Sequence, residues 1–277
     1  MKRLFGLLIC IGLCFGLFAT AGCGGIDLYI YMYAGEYAPI SAEEQLENVK
    51  DIDIDWLAGS VKITTADVEK VIITESGAES AKYPAYYRLQ ANGFLTIKFL
   101  KSGETRKDDI EKNLIITLPK TIDLQGVDVD AATADVTIDK VECDSLTLSH
   151  LKGNSWVKNS TFSNAKIETN SGNTVVDNCT VVYKLTLNPY QGTVNVSSSD
   201  IMDYAIITYK GEITLVLNED SFSLDLEEGS KCEHEDFELT EGERGLLIYG
   251  DEDDILHKIT FGATHREGVL NLVKSVV

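Results

Sequence analysis

Residues 172–196 read GNTVVDNCTVVYKLTLNPYQGTVNV, and the glycine that opens the stretch returns at Gly192. Behind Gly192 comes an apolar, polar, apolar triplet, Val194-Asn195-Val196, and behind Gly211 comes Ile213-Thr214-Leu215. Working outward, the same mark stands at Gly153, with Ala134 one period earlier, so the spacing is 19 or 20 residues throughout. A fixed period of that length signals stacked, near-identical units that cannot bury an apolar face alone.

Three columns keep this register. The first strand of each unit offers Val127/Val129, Leu146/Leu148, Ala165/Ile167, Leu185/Leu187 and Ala205/Ile207 as inward pairs. The second offers Val136/Ile138, Ser155/Val157, Thr174/Val176, Val194/Val196 and Ile213/Leu215. A third apolar column runs Cys143, Phe162, Val181, Ile201. Period-2 alternation places one face of each strand in the core and the other in water. The expected fold is therefore all-β, a single-domain β-solenoid with about 19–20 residues per coil. Each coil is expected to lie on its predecessor at a strand spacing of about 4.8 Å. Glycine is expected at the corner because a tight turn calls for φ > 0.

The corner-and-strand pattern also fits Gly59-Ser60-Val61-Lys62-Ile63, Gly93-Phe94-Leu95-Thr96-Ile97 and Gly268-Val269-Leu270-Asn271-Leu272. The winding is thus placed over 51–277, with irregular excursions at 76–90, 101–112 and 228–262. Ahead of it, residues 1–22 read as an export signal. Lys2 and Arg3 precede an apolar run too short to span a membrane comfortably, and the run ends in Thr20-Ala21-Gly22-Cys23. That ending resembles the lipobox of bacterial lipoproteins, with Thr20 where leucine is usual, and it makes Cys23 the lipidation site. An ordinary secretory signal cut near Ala21 is the alternative. Residues 23–50 form a lead-in tether. Ile26–Tyr33 offers a first strand, and Ser41-Ala42-Glu43-Glu44 fits a capping box opening one short helix that ends near Val49.

Without residues 1–22 the chain carries 22 Lys+Arg against 44 Asp+Glu. A field of that sign argues against nucleic acid and against adsorption to anionic headgroups. Membrane attachment then falls to the anchor. Cys10 and Cys14 leave with the signal, so only Cys143, Cys179 and Cys232 remain, an odd number that makes no disulfide framework.

Ile52-Asp53-Ile54-Asp55-Trp56-Leu57-Ala58-Gly59-Ser60-Val61-Lys62-Ile63 resembles the opening of the bacterial β-strand-repeat proteins catalogued as putative adhesins. Leu114-Ile115-Ile116-Thr117-Leu118-Pro119 and Thr169-Asn170-Ser171-Gly172-Asn173 are similar to that family's other recurring pieces, and the resemblance spans residues 46–275. It implies a right-handed β-solenoid on the cell surface or envelope, often lipid- or membrane-anchored. Some relatives are associated with envelope-stress genes. The family supplies no catalytic residues. This chain departs from it by replacing corner Ser-Gly pairs, as at Ala134 and Lys210-Gly211.

Chemical constellations are sparse. Asp51/Asp53/Asp55 and Asp128/Asp130 place carboxylates on strand faces, and Asp251-Glu252-Asp253-Asp254 forms a cluster. None has the glycine and distal Glu of a calcium loop, so a solvated face is the reading. Cys232-Glu233-His234 gives two metal ligands where zinc needs about four, and His150, His257 and His265 read as scattered surface histidines. Cys143 and Cys179 fall in core columns as small hydrophobes. No nucleophile elbow, zinc helix or phosphate loop occurs. A polysaccharide-cleaving β-helix needs cations against a uronate, yet no arginine lies between Arg106 and Arg244.

No enzyme activity, cofactor or metal is expected. The expected role is a lipid-anchored, extracytoplasmic, non-enzymatic solenoid in envelope interaction or adhesion, with a glycan or envelope protein as partner. Tyr183, Tyr190, Tyr204 and Tyr209 lie near corners where rings could stack on sugars. A β-helix enzyme acting on polysaccharide, or an accessory of an envelope-stress system, stands as the alternative.

Overall fold

The computed structural model describes residues 31–77, 80, 82–104, 110–217, 221–234, 236–242, 246–250, 255–263 and 267–275. The export signal, Cys23, most of the Ile26–Tyr33 segment, the 251–254 acidic cluster and His265 lie outside the described residues. Within them the chain is all-β.

The N-terminal part contributes β1 (Ala38–Pro39), β2 (Glu43–Leu46), β3 (Asp51–Trp56) and β4 (Gly59–Ala66). It continues with β5 (Val71–Ser76), β6 (Tyr86–Leu89), β7 (Phe94–Lys98) and β8 (Lys112–Pro119). The central part holds β9 (Gly126–Ala131), β10 (Asp135–Asp139), β11 (Glu142–His150), β12 (Ser155–Lys158) and β13 (Thr161–Thr169). There follow β14 (Asn173–Asp177), β15 (Thr180–Pro189), β16 (Thr193–Ser197), β17 (Asp200–Thr208) and β18 (Glu212–Leu217). The C-terminal part adds β19 (Phe222–Leu226), β20 (Lys231–Glu233), β21 (Thr240–Glu241), β22 (Leu247–Tyr249), β23 (His257–Ala263) and β24 (Val269–Lys274).

These strands make two sheets. The 13-stranded sheet has the order β1-β6-β7-β3-β9-β11-β13-β15-β17-β23-β19-β22-β21, and the 11-stranded sheet the order β2-β5-β8-β4-β10-β12-β14-β16-β18-β24-β20. From β9 to β18 the chain alternates between sheets and each strand pairs in parallel with the one a coil earlier. The core lies between the sheets. One inner column is Ile52, Val127, Leu146, Ala165, Leu185, all buried. Facing it, Val61, Val136, Ser155, Thr174, Val194 and Ile213 are buried in register, as the alternation requires.

One register assignment is corrected. β15 carries an extra residue between Val181 and Lys184 relative to both neighbours. A one-residue bulge turns every later side chain to the opposite face unless the next strand drops back into step. Strand β17 does drop back. Tyr204 pairs with Leu185 and Ile206 with Leu187, so Tyr204 and Ile206 point inward. Ala205 and Ile207, expected inside, point outward, and Ile207 is 56% exposed.

The corners explain the glycines more fully than turn geometry does. Gly153 and Gly172 have φ of +122° and +121°. A Cβ on Gly153 would sit 2.5 Å from the carbonyl oxygen of Ala134 in the coil before, and one on Gly172 would overlap the carbonyl of Gly153. Gly192 has no positive φ, yet a Cβ there would also run into the preceding coil's Gly172 carbonyl. Close approach of successive backbones is the shared cause. The opposite corner turns on left-handed Lys140, Asn159, Asn178 and Ser198, with φ between +50° and +59°. There Asn178 Nδ2 donates to Asn159 Oδ1, and Asn159 Nδ2 to Asp139 Oδ1, both at 2.8 Å.

Both ends break the rule that each coil lies on its predecessor. At the N-terminal end the coil β7–β8 lies on one side of β3–β4 and the coil β9–β10 on the other. At the C-terminal end the last coil, β23–β24, inserts between β17–β18 and β19–β20, which precede it in the chain. The 228–262 excursion therefore leaves the stack and returns below itself. The excursions also contain strands. Antiparallel β5, β6 and β2 cover the N-terminal end, and β22 and β21 cover one C-terminal edge. Capping of this kind removes the open edges that would otherwise template aggregation.

The short helix expected after Ser41 is not formed. The capping contacts exist, since Ser41 N and Oγ both reach Glu44 Oε1 at 3.2 and 3.0 Å. Ala42, however, takes φ +82°, and Glu43–Leu46 pairs antiparallel with β5 as strand β2. Pairing with an open sheet edge outweighs the weak propensity of a single helical turn.

Candidate functional site

The outer faces of the two sheets are broad exposed surfaces, because alternation sends every second side chain of the coils to water. On the 13-stranded sheet, Asp53 and Asp55 of β3 stand beside Asp128 and Asp130 of β9. Lys98 of β7 lies 3.6 Å from Asp53 and 3.7 Å from Asp55. Burial, then the neighbouring carboxylates, pushes Asp128 and Asp130 above the usual carboxylate range. Further along, Lys166 pairs with Glu168 at 3.0 Å and Asn188 Nδ2 donates to Glu168 Oε1 at 3.0 Å. The acidic row is thus one end of a face whose later coils are mixed and then apolar at Ala205 and Ile207. Among the described residues no group of three His, Cys, Asp or Glu is placed to hold a metal ion.

The outer face of the 11-stranded sheet is a hydrogen-bonded ladder. Asn154 N–H donates to Asp135 Oδ1 at 2.8 Å, Asn173 N–H to Asn154 Oδ1 at 3.3 Å, and Thr193 Oγ1 to Asn173 Oδ1 at 2.6 Å. Ser197 Oγ donates to Asp177 Oδ1 at 2.8 Å. Between these rows Trp156 faces outward and is half-buried, in register with Thr137 and Val175. The sequence reading passed over Trp156. The signal was present, because Ser155 and Val157 were assigned inward and the residue between them must then point out.

The corner aromatics divide. Tyr190 and Tyr209 stack with ring centroids 4.5 Å apart and planes 8° from parallel, and Lys210 lies over Tyr209. Lys210 also pairs with Glu267 at 2.7 Å. Tyr183 is exposed on the β15 bulge. Tyr204 is a core residue, because the bulge that exposes Tyr183 is followed by the return of register that turns Tyr204 inward.

His150, expected on the surface, is 4% exposed. It ends β11 at the inward register, and its Nε2 lies 3.0 Å from Thr169 Oγ1 and 3.3 Å from Ser155 Oγ. Thr174 Oγ1 completes the group at 2.9 Å from Ser155 Oγ. Burial holds the imidazole below its ordinary value, against a small opposing pull from Asp135. A serine and histidine this deep meet no substrate, so the group ties neighbouring coils together. His257 Nδ1 lies 2.7 Å from the carbonyl of Ile201, and His234 Nδ1 3.4 Å from that of Phe237.

A second interior group lies at the N-terminal end. The Lys112 side chain is fully buried, with Nζ 3.1 Å from Glu75 Oε1 and donating to the carbonyls of Tyr83 and Phe99. Nζ also lies 4.2 Å from the Phe99 ring centroid, and Trp56 Nε1 donates to the Lys112 carbonyl at 3.1 Å. Burial pulls the amine down to about 8 against the attraction of Glu75. Nothing in the pattern of β8 distinguished this inward lysine from a solvated strand end.

Cys143 and Cys179 are buried free thiols, as assigned, and Cys143 is pushed up to about 12 by burial. Cys232, half-buried in β20, is pushed up to about 11 by burial and by Glu233. Thiols held so far above neutrality are poor nucleophiles and poor metal ligands.

Two parallel-dominated sheets closed around stacked 19–20-residue coils define a β-solenoid. The Toastrack family (DUF4097) matches residues 49–231, and the chain belongs to that family. Among solved structures the chain is similar to a putative adhesin from Bacteroides fragilis, at 14% identity and a TM-score of 0.51, covering 85% of this chain and 99% of that one. A putative cell adhesion protein from Clostridium sporogenes gives 15% identity and a TM-score of 0.33, covering 86% and 100%. A putative adhesin from Parabacteroides distasonis gives 10% and 0.45, covering 88% and 100%. Comparison with curated proteins returns no match.

Proposed function

We propose that this protein is a non-enzymatic binding module of the bacterial cell envelope, lipid-anchored at Cys23, whose solenoid presents its outer faces to a glycan or an envelope protein. The supporting observation is the contrast between inside and outside. The Ser155–His150 contact and the Lys112–Glu75 pair are sealed in the core, whereas Trp156, Tyr190 and the amide ladder face water. A flat face bearing an aromatic ring among hydrogen-bonding side chains suits a polyol better than it suits a reaction. In support, the similar Bacteroides fragilis structure is named a putative adhesin, and the sequence before residue 23 has the form of a lipoprotein signal.

Two experiments test the reading. Metabolic labelling with palmitate should mark the wild type and not Cys23→Ala, and a Cys23→Ala protein that still partitions with membranes would refute the anchor. A glycan and matrix-protein array on the mature chain should return a ligand whose binding weakens in Trp156→Ala or Tyr190→Ala. Turnover of a glycan by the wild type would replace the binding module with an enzyme.

A further inference from the structure

The third apolar column, Cys143, Phe162, Val181, Ile201, is the front segment of successive strands, each rung covered by the next. It runs out at Ile201. The following strand in the sheet, β23, begins at His257 and pairs with β17 only from Asp203↔Lys258 onward, so among the described residues no paired strand lies over Asp200–Ile201. The Ile201 carbonyl meets the His257 ring instead. Beside the start of β17 is a cavity of about 480 Å³ lined by Ser199, Asp200, Met202, Tyr204, Leu217, Phe222, Leu256 and His257, while Ile201 itself stays fully buried.

Its walls are chiefly apolar, and its mouth carries Met202, 51% exposed, and Leu256, 59% exposed. Val182 and Tyr183 on the β15 bulge of the preceding coil, 42% and 59% exposed, stand one coil away from Met202. Four exposed large apolar side chains thus gather at and beside this cavity, and such a patch marks a ligand or partner surface. The polar lining fixes the sign. Among the described residues of the lining Asp200 is the one carboxylate, and none is Lys or Arg. With a formal net charge of −20, the chain repels an anionic head and attracts a cationic one.

We propose that this cavity binds the alkyl chain of a cationic single-chain amphiphile, with Met202, Leu256, Phe222 and Leu217 around the chain and Asp200 beside the head. The inference is independent of the outer-face reading, because neither Trp156 nor the amide ladder contributes to the cavity.

Calorimetric titration of the mature chain with decyltrimethylammonium, decyl maltoside and decyl sulfate, each below its micelle concentration, tests the proposal. The expected result is one saturable site that prefers the cation to the maltoside by about fivefold, the worth of one charge pair near 4 Å in water. The sulfate should bind most weakly. Asp200→Asn should bring the cation and the maltoside to parity. Met202→Gln and Leu256→Gln should each weaken all three several-fold while the thermal midpoint stays in place, since both side chains are exposed. Absence of a saturable site, equal binding of the sulfate and the cation, or binding unchanged in both glutamine variants would overturn the proposal.

Discussion

Ile206 and Ile207 are neighbours of identical chemistry on β17, and the bulge in β15 gives them opposite fates. Ile206 is 1% exposed and packs in the column of Leu187, whereas Ile207 is 56% exposed on the outer face. Truncating Ile206 to alanine removes a buried branched side chain from a floor that the next coil covers with Phe261, so the site cannot collapse freely. The expected loss is about 2–5 kcal/mol. The same truncation at Ile207 should stay within about 0.5 kcal/mol. With an m-value of about 3 kcal/mol/M in urea, a loss of about 3 kcal/mol lowers the unfolding midpoint by about 1 M. Urea titrations of the two variants, followed by far-UV circular dichroism, would read this directly. A larger shift for Ile207→Ala than for Ile206→Ala would refute the register, and equal shifts would refute the bulge.

Three other outcomes follow from the same geometry. Gly172→Ala should destabilise by more than about 2 kcal/mol, because left-handed strain and collision with the Gly153 carbonyl act together; Gly103→Ala, with φ +84° and nothing within 4 Å, should lose only about 1 kcal/mol in the same titration. Lys112→Met strands Glu75 in the core and should lose about 3–5 kcal/mol, most of it recovered in Lys112→Met/Glu75→Gln, where the amide still accepts from Ala85 N–H; failure of the second change to recover stability would contradict the pairing. His150 is held below 6.5 in the folded chain, so the unfolded chain takes up its proton first and stability should fall as pH drops below 6.5. Unfolding midpoints between pH 7 and 5 should show a flatter slope in His150→Gln, and identical slopes would mean that the ring is not buried neutral.

The stacking was legible because its signal is repeated. Gly153, Gly172, Gly192 and Gly211 recur with apolar pairs on both strands, and five coils agreeing on one register leave little freedom. The features that were not legible occur once. The extra residue in β15 reads on the first strand as a shift from 19 to 20 that carries on to Ala205, although Gly192–Gly211 and Val194–Ile213 already step by 19; the pairing of Leu185 with Tyr204 shows where that strand returns to step. The insertion of β23 between β17 and β19 has no local signature, since parallel neighbours in a sheet need not be neighbours in sequence. His150 sits at an inward register that alternation could have assigned, but an isolated polar residue at a strand end reads as solvated until Ser155, across the corner of the same coil, and Thr169, from the next coil, are brought beside it. For the outer faces, alternation fixes which residues point out, and Trp156 is readable by that rule. The cavity beside the start of β17 is not, because it is lined jointly by residues of β17, β19 and the segment before β23 that only the out-of-order winding brings together.

Pulsed electron spin resonance on a chain with Cys143, Cys179 and Cys232 replaced tests the stacked, out-of-order winding most directly. Asp128, Thr260 and Asp225 face outward in one column on β9, β23 and β19. With spin labels on Asp128→Cys and a second site, the five coil steps to Thr260→Cys give about 24 Å and the six to Asp225→Cys about 29 Å, at about 4.8 Å per step. The account predicts that the label at 225 lies farther away than the label at 260. The opposite order, or two separations well under 20 Å, as in a sandwich of hairpins, would contradict it.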